Sequence, residues 1–294
     1  IYIYKYIYKM IHIATVATHS ERYLPVLEKM VLNNKISFHK LGFGKKYTGH
    51  FMKDLEMINF LKDKNPYDIV IFLDGFDSLM IGKKDEIINK FKETKKQMII
   101  SIENVRNSFL THSYNFQKVQ EKFINTGLYM GYCGFVLNFL EKMYEKGYNK
   151  KSNQTTWSGF LNSKQDNIDF SEIGLDKNSS IFLNHSFTCN NEFYFDKKNK
   201  RLILNKDQEP CFIQGNGVVN MNDLIKNLGY DKHNVFKSKI MLEGFKYTYN
   251  AVMKTYPILK IFIFSIIMIL VIAVIFIYFN YKFRKFETIN LVFS

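Results

Sequence analysis

The chain has 294 residues, 47% of them apolar and 16% aromatic, enough to bury one sizeable core with a small appendage. Only four prolines and 15 glycines punctuate it, which excludes a largely disordered chain. The formal net charge of +14 raises nucleic acid as a partner, but the lysines are dispersed among Glu, Asp and Asn with no stripe of arginines and aromatics. The charge therefore reads as a solvated surface, and no nucleic-acid partner is expected.

Residues 1–9 precede the first methionine, Met10, and show no secretory cleavage pattern; they are set aside as a non-native leader. Met10 to Ala17 is a compact apolar run that predicts a buried first strand. Thr18-His19-Ser20 offers a helix start, followed by Tyr23, Leu24, Leu27, Met30 and Val31 at helical spacing. A second strand is predicted over Ile36 to Leu41, then the loop Gly42-Phe43-Gly44. Met52 to Lys64 reads as a helix with Leu55, Ile58 and Leu61 on one face. Tyr67 to Leu73 is the clearest buried strand, and it stops at Asp74-Gly75-Phe76-Asp77. A helix over Ile87 to Lys95 and a strand over Met98 to Ile102 follow. Strands alternating with helices predict an α/β sheet built of parallel units.

In such sheets ligands bind beyond the carboxyl ends of the strands, which is where Asp74 and Asp77 fall. Two converging carboxylates suit a hard divalent ion, Mn²⁺ or Mg²⁺. The competing reading makes Asp74 a turn cap and Asp77 a solvated acid. Cys133, Cys189 and Cys211 are odd in number and share no metal-ligand spacing, so they read as small buried hydrophobes.

Near the C-terminus, residues 261–279 (IFIFSIIMILVIAVIFIYF) carry no charge. As a helix they extend roughly 28 Å, enough to cross a bilayer core. Lys254 and Lys260 precede the run, Lys282, Arg284 and Lys285 follow it, and Tyr278 and Tyr281 sit at interfacial positions. The expectation is a membrane-anchored chain with lipid as partner: a folded domain over 10–235, a juxtamembrane linker over 236–257, one transmembrane helix over 258–281 and a basic tail over 282–294. The absence of a signal peptide favours a cytosolic domain. Three sequons, at Asn153, Asn178 and Asn184, would report its side of the membrane.

Six segments in order, Met10 to Glu21, Leu41 to Gly49, Ile71 to Asp77, Asn125 to Tyr132, Leu175 to Asn184 and Ile213 to Gly217, together resemble the glycosyltransferase domain of the procollagen lysyl hydroxylases and their viral relatives. The first strand with Thr18-His19-Ser20-Glu21 is similar to that family's opening V-A-T-x-x-T segment. Residues Leu41 to Gly49 resemble its L-G-x-G-x-x-W-x-G loop, with Tyr47 at the tryptophan position, and Ile71 to Asp77 resemble its F-V-D-S-Y-D motif. Asn125 to Tyr132 resemble N-S-G-G-F-I-G-Y, and Leu175 to Asn184 resemble L-D-x-x-x-x-I-F-Q-N. Ile213-Gln214-Gly215-Asn216-Gly217 resembles the closing I-H-G-N-G.

The resemblance implies a GT-A fold, a Rossmann-type mixed but mostly parallel sheet flanked by helices. It implies a UDP-sugar donor bound through Mn²⁺ (or Mg²⁺), with Asp74, Asp77 and Gln214 at the metal and Phe76 against the uracil. Thr18, Gly42, Gly44, Tyr47, Gly215, Asn216 and Gly217 would line the nucleotide site. The expected activity moves a hexose to a hydroxyl acceptor, of hydroxylysine type in the family. The chain departs from the pattern at Gln214, where the family has histidine. It departs again at Lys150-Lys151-Ser152-Asn153-Gln154, where the family has an acidic run and only Gln154 matches. These departures keep a second reading open, a non-catalytic domain that binds a nucleotide sugar or a protein.

Overall fold

The computed structural model describes residues 10–103, 118–146, 153–163, 168–185, 193–204, 208–216, 219–231, 265–266 and 268–274. The chain divides into two units, Ile1–Gly244 and Phe245–Ser294. In the second, residues 265–266 and 268–274 are helical, with Ile266, Met268, Ile269, Leu270, Val271, Ile272 and Val274 exposed. Among the described residues no helix is long and apolar enough to cross a membrane. Most of the expected span, the leader 1–9, the linker 236–257 and the tail 282–294 lie outside the described residues.

The first unit begins β1 (Ile11–Val16), α1 (Leu24–Asn33), β2 (Ser37–Leu41), α2 (Phe51–Leu61), β3 (Ile69–Leu73), β4 (Ser78–Met80) and α3 (Lys84–Glu93). It continues with β5 (Met98–Glu103), β6 (Phe123–Tyr132), α4 (Cys133–Glu145), α5 (Asn153–Ser163) and β7 (Ile173–Leu175). β8 (Phe182–His185), β9 (Phe193–Asp196), β10 (Arg201–Leu204), β11 (Phe212–Gly215) and α6 (Asn222–Asn227) complete it. The main sheet has the order β2-β1-β3-β6-β5-β7. β1 pairs parallel with β2 and β3, and β5 with β7, while β6 runs antiparallel to both its neighbours. The sheet is therefore mixed and mostly parallel, as expected. A second sheet, β4-β11-β8, lies beyond the end of β3, and β9 and β10 form a hairpin.

Strand alternation explains the unbroken apolar runs. Ile69, Ile71 and Leu73 face one core with Leu27 and Met30 of α1 and Ile87 and Phe91 of α3. Val70 and Phe72 face the other, with Met57 and Leu61 of α2, Phe139 of α4 and Trp157 of α5. With helices on both faces, each strand residue needs an apolar side chain whichever way it points. Phe72, Tyr129 and Trp157 pack in series, with ring centroids 5.0 and 4.9 Å apart. Fully burying each such side chain contributes about 1.5–3 kcal/mol.

Two local readings need correction. Thr18-His19-Ser20 does not start a helix: the chain turns through 17–23, with Arg22 at φ 51°, and α1 begins only at Leu24. Pro25 in that first turn costs no hydrogen bond, because the first helical N–H groups have no intrahelical acceptor. The short strand β4 after Asp77 was not anticipated, since three residues carry too little pattern to read. Cys133 and Cys211 are buried free thiols, and Cys189 lies outside the described residues.

Candidate active site

β3 delivers Asp74 to the site. As the residue after Leu73 it continues the face of Val70 and Phe72, the side that α2 covers. Lys53 of α2 forms an ion pair with Asp74 Oδ1. The Asp74 N–H donates to the Gly127 carbonyl on β6 at 2.8 Å, which pins the backbone there. The chain then turns through Gly75 and Phe76 to Asp77 and enters β4.

β11 brings the third member. It pairs antiparallel with β4, Gln214 opposite Ser78, and the Gly215 N–H donates to the Asp77 carbonyl at 2.8 Å. Gln214 Nε2 donates to Asp74 Oδ2 at 3.1 Å and to Asp77 Oδ1 at 3.2 Å. Gln214 Oε1 is buried and makes no hydrogen bond. Gly127 makes this approach possible, since a Cβ there would stand 2.6 Å from Asp74 Oδ2. Burial, and then the neighbouring Asp74 carboxylate, push the Asp77 carboxyl up to about 7, against the opposing pull of Arg22, Lys53 and the Gln214 amide.

The residues expected to line a nucleotide are placed as follows. The Gly44 N–H donates to the Thr18 carbonyl at 2.9 Å, so the loop after β2 closes on the loop after β1. Gly44 has φ +79°, a left-handed conformation that glycine adopts without strain. Gly42 packs against α2, where a Cβ would meet Met52 Cε at 2.8 Å. Tyr47 is 48% exposed, its hydroxyl 3.1 Å from His50 Nδ1. The Phe76 ring lies 5.1 Å from that of His19, which is bonded to Thr18 Oγ1 and Glu21.

Asn216 does not join the aspartate pair. Its Nδ2 donates to Glu103 Oε1 at 3.0 Å, alongside Asn125 Nδ2 at 3.0 Å and a bond from Gln154. Burial pushes the Glu103 carboxyl up to about 7 despite these three donors. Asn153 turns instead to Asp54, donating at 2.7 Å, while Trp157 Nε1 reaches the other Asp54 oxygen at 3.3 Å. Gly217 and residues 150–152 lie outside the described residues. Sequence reasoning missed Glu103 and Lys53. Glu103 ends an apolar strand as Asp74 follows one, a signal that could have exposed it. Lys53 has none, being one lysine of many.

Among the described residues no three His, Cys, Asp or Glu side chains converge. Two carboxylates and an amide do, and the unbonded Gln214 Oε1 can turn to join them as a third oxygen. An all-oxygen set of this kind fits a hard divalent ion.

The family described as PLOD GT domain matches the chain over residues 8–239. The chain belongs to this family. Procollagen-lysine,2-oxoglutarate 5-dioxygenase 1 of Gallus gallus is 28% identical over 156 residues, 51% of this chain and 20% of that protein. The chain thus matches only a fifth of that relative's length. A crystal structure of a glycosyltransferase involved in the glycosylation of the major capsid of PBCV-1 aligns with 74% of this chain and 98% of its own, at 13% identity and a TM-score of 0.47. By the matching family it is a glycosyltransferase domain of the PLOD type.

Proposed function

We propose that the domain moves a hexose from a UDP-sugar to a hydroxyl acceptor, with Mn²⁺ or Mg²⁺ held by Asp74, Asp77 and Gln214. The observation that carries the reading is the half-buried convergence of these three side chains around a buried amide oxygen with no partner. When bound, the ion offsets the negative charge that grows on the departing diphosphate. Around it, Tyr47, Phe76 and the Thr18–Gly44 loop contact supply aromatic surface and backbone polar groups for the nucleoside. Gly215 fixes the Gln214 strand to Asp77 through its backbone N–H. Glu103 is available as a proton acceptor near neutrality, and Asn125, Asn216 and Gln154 hold it in place. The apolar run 261–279 supports attachment to a membrane by one helix.

The decisive assay is hydrolysis of, and transfer from, UDP-glucose and UDP-galactose with and without Mn²⁺, over an acceptor panel that includes hydroxylysine peptides. Cation-dependent release of UDP supports the proposal. The lost histidine and the acid-free stretch 150–154 favour a second reading, a nucleotide-sugar binder without turnover. That reading predicts UDP binding with no sugar release under every condition.

A further inference from the structure

The aspartate pair already has a resident cation. Lys53 reaches Asp74 Oδ1 from α2, and both side chains are only 22% exposed. The carboxylate it pairs with is one of the two assigned above to the divalent ion. An ammonium and a divalent ion repel each other at contact distance, so the two compete for that carboxylate. The Gln214 amide likewise turns its N–H side toward both acids and leaves its oxygen unbonded. Ion entry therefore favours two local changes, departure of the Lys53 ammonium and rotation of the Gln214 amide.

The displaced ammonium cannot go far. α2 is fixed to α5 through Asp54, which accepts from Asn153 and Trp157, so the Lys53 backbone stays in place while its flexible stem moves. The ammonium remains at the rim of the site, where an anion recruited by the ion arrives. Val219 and Asn220, which follow the Gln214 strand, bring no positive charge of their own.

We propose that Lys53 is a movable counter-cation, neutralising Asp74 until a divalent ion binds, yielding that carboxylate to the ion, and then pairing with the diphosphate of the bound nucleotide. The inference rests on the nucleotide-sugar reading above and adds a residue that binds ion and nucleotide in opposite senses.

The test uses the full chain in detergent micelles, with Mn²⁺ binding read from the free-ion EPR signal and UDP binding by calorimetry at saturating Mn²⁺. Lys53→Met and Lys53→Gln remove the charge, and Lys53→Arg retains it. The neutral variants should bind Mn²⁺ about tenfold tighter without nucleotide and UDP about tenfold more weakly with it. Lys53→Arg should bind both as the unmodified chain does, an outcome that a purely structural role would not produce. Neutral variants that bind Mn²⁺ no tighter, or UDP no more weakly, overturn the proposal. Failure of every protein, unmodified chain included, to bind Mn²⁺ and UDP would instead sink the nucleotide-sugar reading itself. Trp157 fluorescence checks that each variant is folded.

Discussion

Replacing Gly127 by alanine would place a methyl carbon 2.6 Å from Asp74 Oδ2 and 2.7 Å from both the nitrogen and the oxygen of the Gln214 amide. All three distances are far inside van der Waals contact. The backbone cannot retreat, because the Gly127 carbonyl accepts from the Asp74 N–H at 2.8 Å and its own N–H donates to Asn125 Oδ1 at 2.7 Å. Gly127 does not occupy the left-handed region, so alanine meets no backbone penalty and the clash is isolated. Asp74 and Gln214 must part, and overpacking of this kind costs about 1–3 kcal/mol. For a domain of this size the melting temperature should fall by about 2–12 °C, from about 2–4 °C per kcal/mol. Mn²⁺ affinity should fall about tenfold or more as the amide leaves the carboxylates. Differential scanning fluorimetry and Mn²⁺ EPR read the two effects. A Gly127→Ala protein with unchanged melting and unchanged Mn²⁺ affinity would mean that Asp74 and Gln214 do not meet over Gly127.

Asp77→Ala should abolish Mn²⁺-dependent UDP binding while the domain stays folded; UDP affinity unchanged in the variant or in EDTA would remove the ion from the site. Gln214→His should tighten Mn²⁺ binding, since imidazole is a better donor to this ion than a neutral amide; no change in the EPR titration would place residue 214 away from the ion. Burial, and then the electrostatic influence of the neighbouring His12 and Lys64, hold the His39 imidazole down to about 4 from its ordinary 6.5. The unfolded chain therefore takes up that proton first, and stability present above pH 6.5 is lost as pH falls toward 4. Denaturant melts of His39→Gln should show a shallower loss than the unmodified chain across that window, and parallel curves would refute the assignment. The full chain should stay with membranes in alkaline carbonate, whereas release by carbonate or high salt would refute the span. Asn178 is the sequon to use for its side of the membrane, because it is exposed while Asn153 and Asn184 are buried and hydrogen-bonded.

Local order in the sequence determined the sheet and half of the site. Ile69 to Leu73 is apolar at every position because helices cover both faces, so the strand and its end were legible without any partner in view. Asp74 and Asp77 follow from that end by covalent adjacency, and Gly42 and Gly44 mark a left-handed loop because few other residues enter that region. The other half depends on distance along the chain. Gln214 stands 140 residues from Asp74, and only the antiparallel pairing of β11 with β4 brings the two together; its place was legible through family resemblance, not through its surroundings. Lys53 and Glu103 had no such guide, and Thr18-His19-Ser20 carried a capping pattern that the tertiary structure used for a loop. A side chain's type is written locally, but its electrostatic partner is chosen by which strands and helices pack together. The same lysine is a solvated charge on one face of α2 and the counter-ion of a half-buried carboxylate on the other.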